Sequence, residues 1–157
     1  MRLTPIALVG GLAATPAAAA TINVTIPRLS VAEYHKPYVA IWLEPASGGT
    51  ARTLAVWYDF KKQGNEPGTK WLHELRGWWR KGGRSLAMPA DGISGATRAP
   101  GTYAIPLPAN LPPGAYVLNV EAAREAGGRE LVTTPLSVPA KAVAKSGATE
   151  LGTVAVH

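Results

Sequence analysis

Prolines and glycines constrain this chain more than any other residue type. Fourteen prolines and seventeen glycines are spread along 157 residues, and they divide it into short segments. Proline removes an amide donor and breaks a helix interior, and glycine weakens one by roughly 0.5–1 kcal/mol relative to alanine. Long helices are therefore excluded over most of the chain. Between the breaks, apolar and polar residues alternate with the period of two that a half-buried strand requires.

The alternating segments are "TINVTI" (Thr21–Ile26), "PYVAIWLE" (Pro37–Glu44) and "ARTLAVWYDF" (Ala51–Phe60). In the third, strict alternation predicts Leu54, Val56, Tyr58 and Phe60 on one face. Later come "GTYAIPL" and "PPGAYVLNVEAARE", with Tyr116, Leu118, Val120 and Ala122 sharing a face. Gly127-Gly128 then turns the chain into "RELVTTPLSV", a long hairpin. "ELGTVAVH" closes the chain as a last strand, and residues Lys141–Gly147 read as a flexible connection. About seven strands at this spacing predict an all-β fold, an antiparallel sandwich of immunoglobulin-like type. In such a sandwich Tyr116 is expected to pack or to tie a corner.

One segment departs from the β pattern. "GTKWLHELRGWWRKGG" (Gly68–Gly83) carries Trp71, Leu72, Leu75, Trp78 and Trp79 at helical spacing. Thr69 is the expected N-cap and Gly82 the stop, giving an amphipathic helix of about three turns that crosses from one sheet to the other. Its tryptophans are either core anchors or an aromatic surface for a flat ligand.

The N-terminus reads as an export signal. Arg2 precedes the short apolar run Ile6–Ala14, and Ala18-x-Ala20 supplies a small-residue cleavage site. The expected organisation is a signal peptide over residues 1–20 and a single domain over 21–157. The run is too short to span a bilayer, so the processed chain is not expected to cross a membrane. Cysteine is absent, which excludes a disulfide scaffold, a lipid anchor, c-type haem and a cysteine-ligated iron–sulfur cluster. Periplasmic localisation follows from these features. Losing Arg2 with the leader lowers the formal charge from +6 to +5. That excess suits anionic ligands or membrane surfaces, while export argues against nucleic acid as a partner.

No self-sufficient active site is visible. The chain lacks G-x-S-x-G, H-E-x-x-H and P-loop patterns. His35, His73 and His157 are far apart, and Glu44, Asp59 and Glu121 are scattered along strands with no visible pairing. An enzyme with its own substrate pocket is not expected.

Chemistry concentrates instead in "DGISGAT". Its glycines and alanine leave a thin backbone beside one hydroxyl, and Asp91 and Ser94 are suited to fix the turn by hydrogen bonds to the main chain. Asp91-x-x-Ser94-Gly95-Ala96-Thr97 resembles the acceptor signature of bacterial flavin transferases, as in FMN-binding subunits of sodium-pumping electron-transfer complexes. That resemblance implies that the Thr97 hydroxyl receives FMN from FAD through a phosphoester bond, with release of AMP. A second "SGAT", Ser146–Thr149, has Val143 where the signature requires Asp, so only the first copy matches.

A broader likeness spans nearly the whole mature chain. "PYVAIWLE", "RTLAVWY", "KWLHELRGWWR", "SGATRAPGTY" and "PPGAYVLNVEAARE" together resemble a family of small predicted periplasmic proteins, a domain of unknown function. Its members occur beside flavin transferases and PepSY-type membrane reductases. After "GTYAI" the chain reads "PLPANLPPG" in place of the Trp-Asp-Gly turn expected from the family. The resemblance implies an exported redox carrier whose partners are a flavin transferase and a PepSY-type reductase or another periplasmic redox protein. Trp71, Trp78 or Trp79 would screen the isoalloxazine, and Arg80, Lys81, Arg84 or Arg98 would attract its phosphate. Two alternatives stand beside it: an immunoglobulin-like binding or assembly module without cofactor, using the tryptophan helix as its contact patch, and a carbohydrate-binding sandwich.

Overall fold

A computed structural model describes Gly10 and residues 20–60 and 66–157; the expected leader lies outside the described residues except for Gly10 and Ala20. The described chain is an all-β sandwich. Its strands are β1 (Thr21–Ile26), β2 (Tyr38–Pro45), β3 (Arg52–Trp57), β4 (Ser94–Gly95), β5 (Gly101–Pro106), β6 (Gly114–Ala123), β7 (Arg129–Val138), β8 (Val143–Ser146) and β9 (Thr153–Val156). One sheet has the order β5-β1-β9-β8, and the other β4-β3-β2-β6-β7. All pairings are antiparallel except β3 with β4.

Alternation builds the main core between the sheets. Ile22, Val24 and Ile26 of β1 meet Val39, Ile41 and Leu43 of β2 and Leu118, Val120 and Ala122 of β6. Tyr116 packs against this cluster and donates its hydroxyl to the Pro112 carbonyl at 2.6 Å, a corner tie of the expected kind.

Strand β3 breaks the simple alternation. Its register with β2 shifts between Ile41 and Trp42, where Ile41 faces Ala55 and Trp42 faces Thr53. Leu54 is the extra residue of this bulge, and the parity of the strand reverses there. Leu54, Ala55 and Trp57 consequently enter the main core, while Val56 and Tyr58 face the opposite side. Phe60 is exposed. The expected single face from Leu54 to Phe60 is thus corrected by one bulge.

The opposite side of the five-stranded sheet carries a second core. Here Tyr38, Ala40, Trp42, Val56 and Tyr58 are covered by Leu72, Leu75 and Trp78. The covering segment differs from the predicted helix. It begins as a 3₁₀ helix, Gly68–Glu74, whose cap residue is Pro67 rather than Thr69. Leu75 leaves helical geometry at ψ 72°, and the five-residue α1 (Arg76–Arg80) follows. A further 3₁₀ turn spans Gly83–Ser85. The segment returns to the same sheet as β4, so it does not cross between sheets.

Two charged groups explain how this cover stays in place. Glu121 on β6 is fully buried and accepts the amides of Gly77 and Trp78 at 3.0 Å each. Arg129 on β7 donates to the same carboxylate at 2.7 Å. The carboxylate therefore caps α1 from a neighbouring strand, and its burial is compensated by three donors. The region expected to be a flexible connection, Lys141–Gly147, contains β8, paired along its length with β9.

Candidate functional site

The signature region follows directly from how the covering segment rejoins the sheet. Residues Ala90–Ser94 form a tight turn in which the Ile93 and Ser94 amides bond to the Ala90 carbonyl. Ser94 Oγ accepts the Ala90 amide at 2.9 Å, so Ser94 ties the turn as expected. Gly92 sits at φ 72°, a conformation that side chains disfavour. Asp91 is exposed on the turn.

The next residues are pinned rather than pliable. Val56 donates to the Ile93 carbonyl and Tyr58 to the Gly95 carbonyl, holding β4 parallel to β3. Ser94 lies opposite Val56 and Gly95 opposite Trp57. Asp59 and Thr97 each stand two residues beyond that last pair and meet. Thr97 Oγ1 donates to Asp59 Oδ1 at 3.0 Å. Thr97 and Asp59 are half-buried, and Ala96 between the strand and Thr97 is exposed. The hydroxyl stands just beyond the end of an edge strand, with a carboxylate partner that local sequence gives no reason to choose.

Beyond Thr97 the chain is fixed by aromatics. The Arg98 guanidinium lies over the rings of Trp57, at 5.0 Å, and Tyr103, at 5.7 Å. The two rings contact each other edge to face at 5.7 Å. Tyr103 also donates its hydroxyl to the Ala99 carbonyl at 2.6 Å, which closes the bend between Thr97 and β5. Arg98 Nε is buried without a hydrogen-bond partner among the described residues. A donor left in that state invites a ligand acceptor or a water. Gly95 leaves room for this arrangement, since a Cβ there would stand 3.1 Å from Trp57 Cδ1.

A groove of about 470 Å³ runs beside the motif, between the β4 edge of one sheet and β5 of the other. Gly92, Ile93, Ser94 and Gly95 form one wall, Tyr103–Pro106 the other, with Trp57 and Arg98 at its end. Its size lies within the range of small-molecule sites. The stacked Arg98 cation and its buried, unpaired Nε donor suit an anionic group.

The helix tryptophans do not join this groove. Trp78 is 1% exposed, sits in the second core and donates its indole N–H to Thr53 Oγ1 at 2.9 Å. That burial removes Trp78 as a stacking surface. Trp71 and Trp79 are half-buried against the same core. The aromatics that line the groove are Trp57 and Tyr103, and strict alternation leaves Trp57 off the apolar face of its strand.

The second "SGAT" has a different fate. The amides of Ala148, Thr149, Glu150 and Leu151 all converge on the Glu130 carboxylate, at 2.7–3.2 Å. Burial pushes the Glu130 carboxyl up, but those amides and the Thr149 hydroxyl outweigh it and hold it below its ordinary value. This loop is a clasp for an internal anion.

Among the described residues no group of three or more metal-ligating side chains comes together, and no helix is long and apolar enough to cross a membrane. No curated protein and no solved structure matches the chain. A family model does match, over residues 19–153, which is most of the chain and includes the whole groove. The chain belongs to DUF2271, the family described as a predicted periplasmic protein.

Proposed function

We propose that this periplasmic protein is a flavin carrier, with FMN esterified to Thr97 by a flavin transferase and electrons passed to a PepSY-type membrane reductase or another periplasmic redox partner. The observation that carries the reading is the position of Thr97. The one hydroxyl that completes the Asp-x-x-Ser-Gly-Ala-Thr pattern bonds to Asp59 and lies in sequence between Ser94–Gly95 and Arg98, which line a groove with a cation at its end.

FMN in this place supplies one- and two-electron chemistry that the chain's own side chains lack. The chain's part is to hold and screen the ring. Half-buried Tyr103 offers a ring edge, buried Trp57 backs the Arg98 guanidinium, and that guanidinium favours negative charge beside them. Arg98 Nε has a donor to give to a ring carbonyl or a phosphate oxygen. A phosphoester bond to Thr97 would keep the group from being lost outside the cytoplasm.

The test is co-expression with a flavin transferase. The wild-type protein is expected to give an ultraviolet-fluorescent band on a denaturing gel and an intact mass increased by one FMN less a water. Thr97→Ala removes both signals and Thr149→Ala removes neither. An unlabelled wild-type chain in the presence of an active transferase and FAD overturns the reading.

A further inference from the structure

The Thr97 hydroxyl is not left free to await a transferase, and its partner is informative. Thr97 Oγ1 donates its hydrogen bond to Asp59 Oδ1 at 3.0 Å. The contact is built by the sheet: the parallel pairing of Val56 with Ser94 and Trp57 with Gly95 brings two residues 38 positions apart into register. Asp59 is itself held near Tyr38, whose hydroxyl donates to the Gly68 carbonyl at 2.9 Å. Burial first, and then the negative charge of Asp59, push the Tyr38 phenol up to about 12. Tyr38 therefore stays protonated and does not compete for the Thr97 proton near neutral pH.

A threonine hydroxyl is a weak nucleophile at its ordinary acidity, and enzymes that use one place a base within hydrogen-bond reach of it. Here such a group comes from the acceptor protein itself. Resting on the flavinylation reading above, we infer that Asp59 is the base that activates Thr97 for its own modification. In the step, Thr97 Oγ1 forms a bond to the FMN-side phosphorus of FAD. The phosphorus–oxygen bond of the diphosphate bridge breaks and AMP leaves with that bridging oxygen. The Thr97 proton passes to Asp59 Oδ1. No oxidant or reductant is needed, because the transfer is a phosphoryl exchange.

The arrangement also gives a reason for the acceptor to sit on an edge strand rather than on a loose turn. A base works only at short distance and fixed orientation, and the two amides that tie β4 to β3 hold both partners. After transfer the hydroxyl proton is gone, so Asp59 loses its hydrogen bond and faces a phosphoester. Arg98, next in sequence, is the cation at hand to offset that charge.

The experiment uses the full chain purified without flavin, a purified flavin transferase, FAD and a divalent metal. Initial loading rates are read by intact mass. Asn at position 59 keeps an acceptor oxygen for the Thr97 hydroxyl but takes no proton, so Asp59→Asn is expected to load about 10²-fold more slowly or worse. Asp59→Ala should be as slow, and denaturant midpoints of both variants confirm that they remain folded. Loading of Asp59→Asn at the wild-type rate overturns the role of Asp59 while leaving the flavin reading intact. Failure of the wild-type chain to load overturns both. Should Asp59→Asn load normally and Asp59→Ala slowly, Asp59 only orients the hydroxyl, and the base assignment falls.

Discussion

The same four residues, Ser-Gly-Ala-Thr, occur twice in this chain and do two different jobs. At Ser94–Thr97 the first two residues are strand β4, paired in parallel with β3, and the threonine hydroxyl is turned toward Asp59 beside an open groove. At Ser146–Thr149 the serine ends β8, and the backbone after it curls around the Glu130 carboxylate. One copy presents a side chain to the surroundings. The other uses its amide donors on an internal anion. What separates them is the partner that the sheet supplies: a strand to pair with in the first case, a carboxylate to enclose in the second.

The largest expected effect tests whether the sequence pattern or this geometry selects the modified threonine. Val143→Asp completes the Asp-x-x-Ser-Gly-Ala-Thr pattern in the second copy. If geometry decides, a Thr97→Ala, Val143→Asp chain stays unlabelled after co-expression with a transferase, because the second loop remains wrapped on Glu130. A fluorescent band carrying FMN on Thr149 in a peptide map would break the comparison and leave pattern alone as the determinant.

Stability distinguishes the two turns in the opposite sense. Glu130→Ala strips four amides of their acceptor, and a hydrogen bond to a charged group contributes a net of about 1.5–3 kcal/mol where it is shielded from water. With water reaching this partly exposed loop, a loss of about 2–3 kcal/mol is expected by urea denaturation. Asp91→Ala, on the exposed first turn, should stay within about 0.5 kcal/mol.

Acid sharpens the same contrast. The folded Glu130 carboxyl is held below its ordinary value of 4.5, so its contribution to stability is complete above that value. It is lost as the pH falls through the lower folded value. Wild type should therefore lose stability below about pH 4.5 more steeply than Glu130→Gln, measured as denaturant midpoint against pH.

How much of this could be read in the sequence depends on how local each cause is. Strands β1, β2, β6, β7 and β9 were legible because alternation and a turn signal are both short-range. Strand β8, "VAKS", was not: an exposed edge of small and polar residues has no apolar face to betray it. The covering segment departs from the expected helix for a related reason. Its buried residues Leu72, Leu75 and Trp78 recur every three positions, a spacing that serves a 3₁₀ helix as well as an α-helix. At the site, the motif was visible but Asp59 was not, since a parallel pairing across 38 residues leaves no local mark. Trp57 falls off the apolar face that strict alternation assigns to this strand, and the groove it lines is made by strands from two different sheets. The strand parity that would have oriented it was reset by the bulge at Leu54.

The smallest effect concerns the glycine shared by the two copies. At Gly147 an added Cβ would run into the Leu151 carbonyl and the Glu130 carboxylate, so Gly147→Ala must displace backbone and should cost more than about 2 kcal/mol. At Gly95 the nearest atom is Trp57 Cδ1 at 3.1 Å, with an Arg98 nitrogen at 3.4 Å. Those are side-chain atoms that can yield by a few tenths of an ångström, and no positive φ is involved. Gly95→Ala should therefore cost only about 0.5–1 kcal/mol. Its consequence would appear elsewhere, because the methyl tilts Trp57 and lifts Arg98 at the end of the groove. On a flavin-loaded chain this predicts stronger flavin fluorescence and easier quenching by iodide at nearly unchanged stability. Equal stability losses at Gly95 and Gly147 would mean that the first turn is as tightly enclosed as the second, and the division between a presenting turn and an enclosing one would fail.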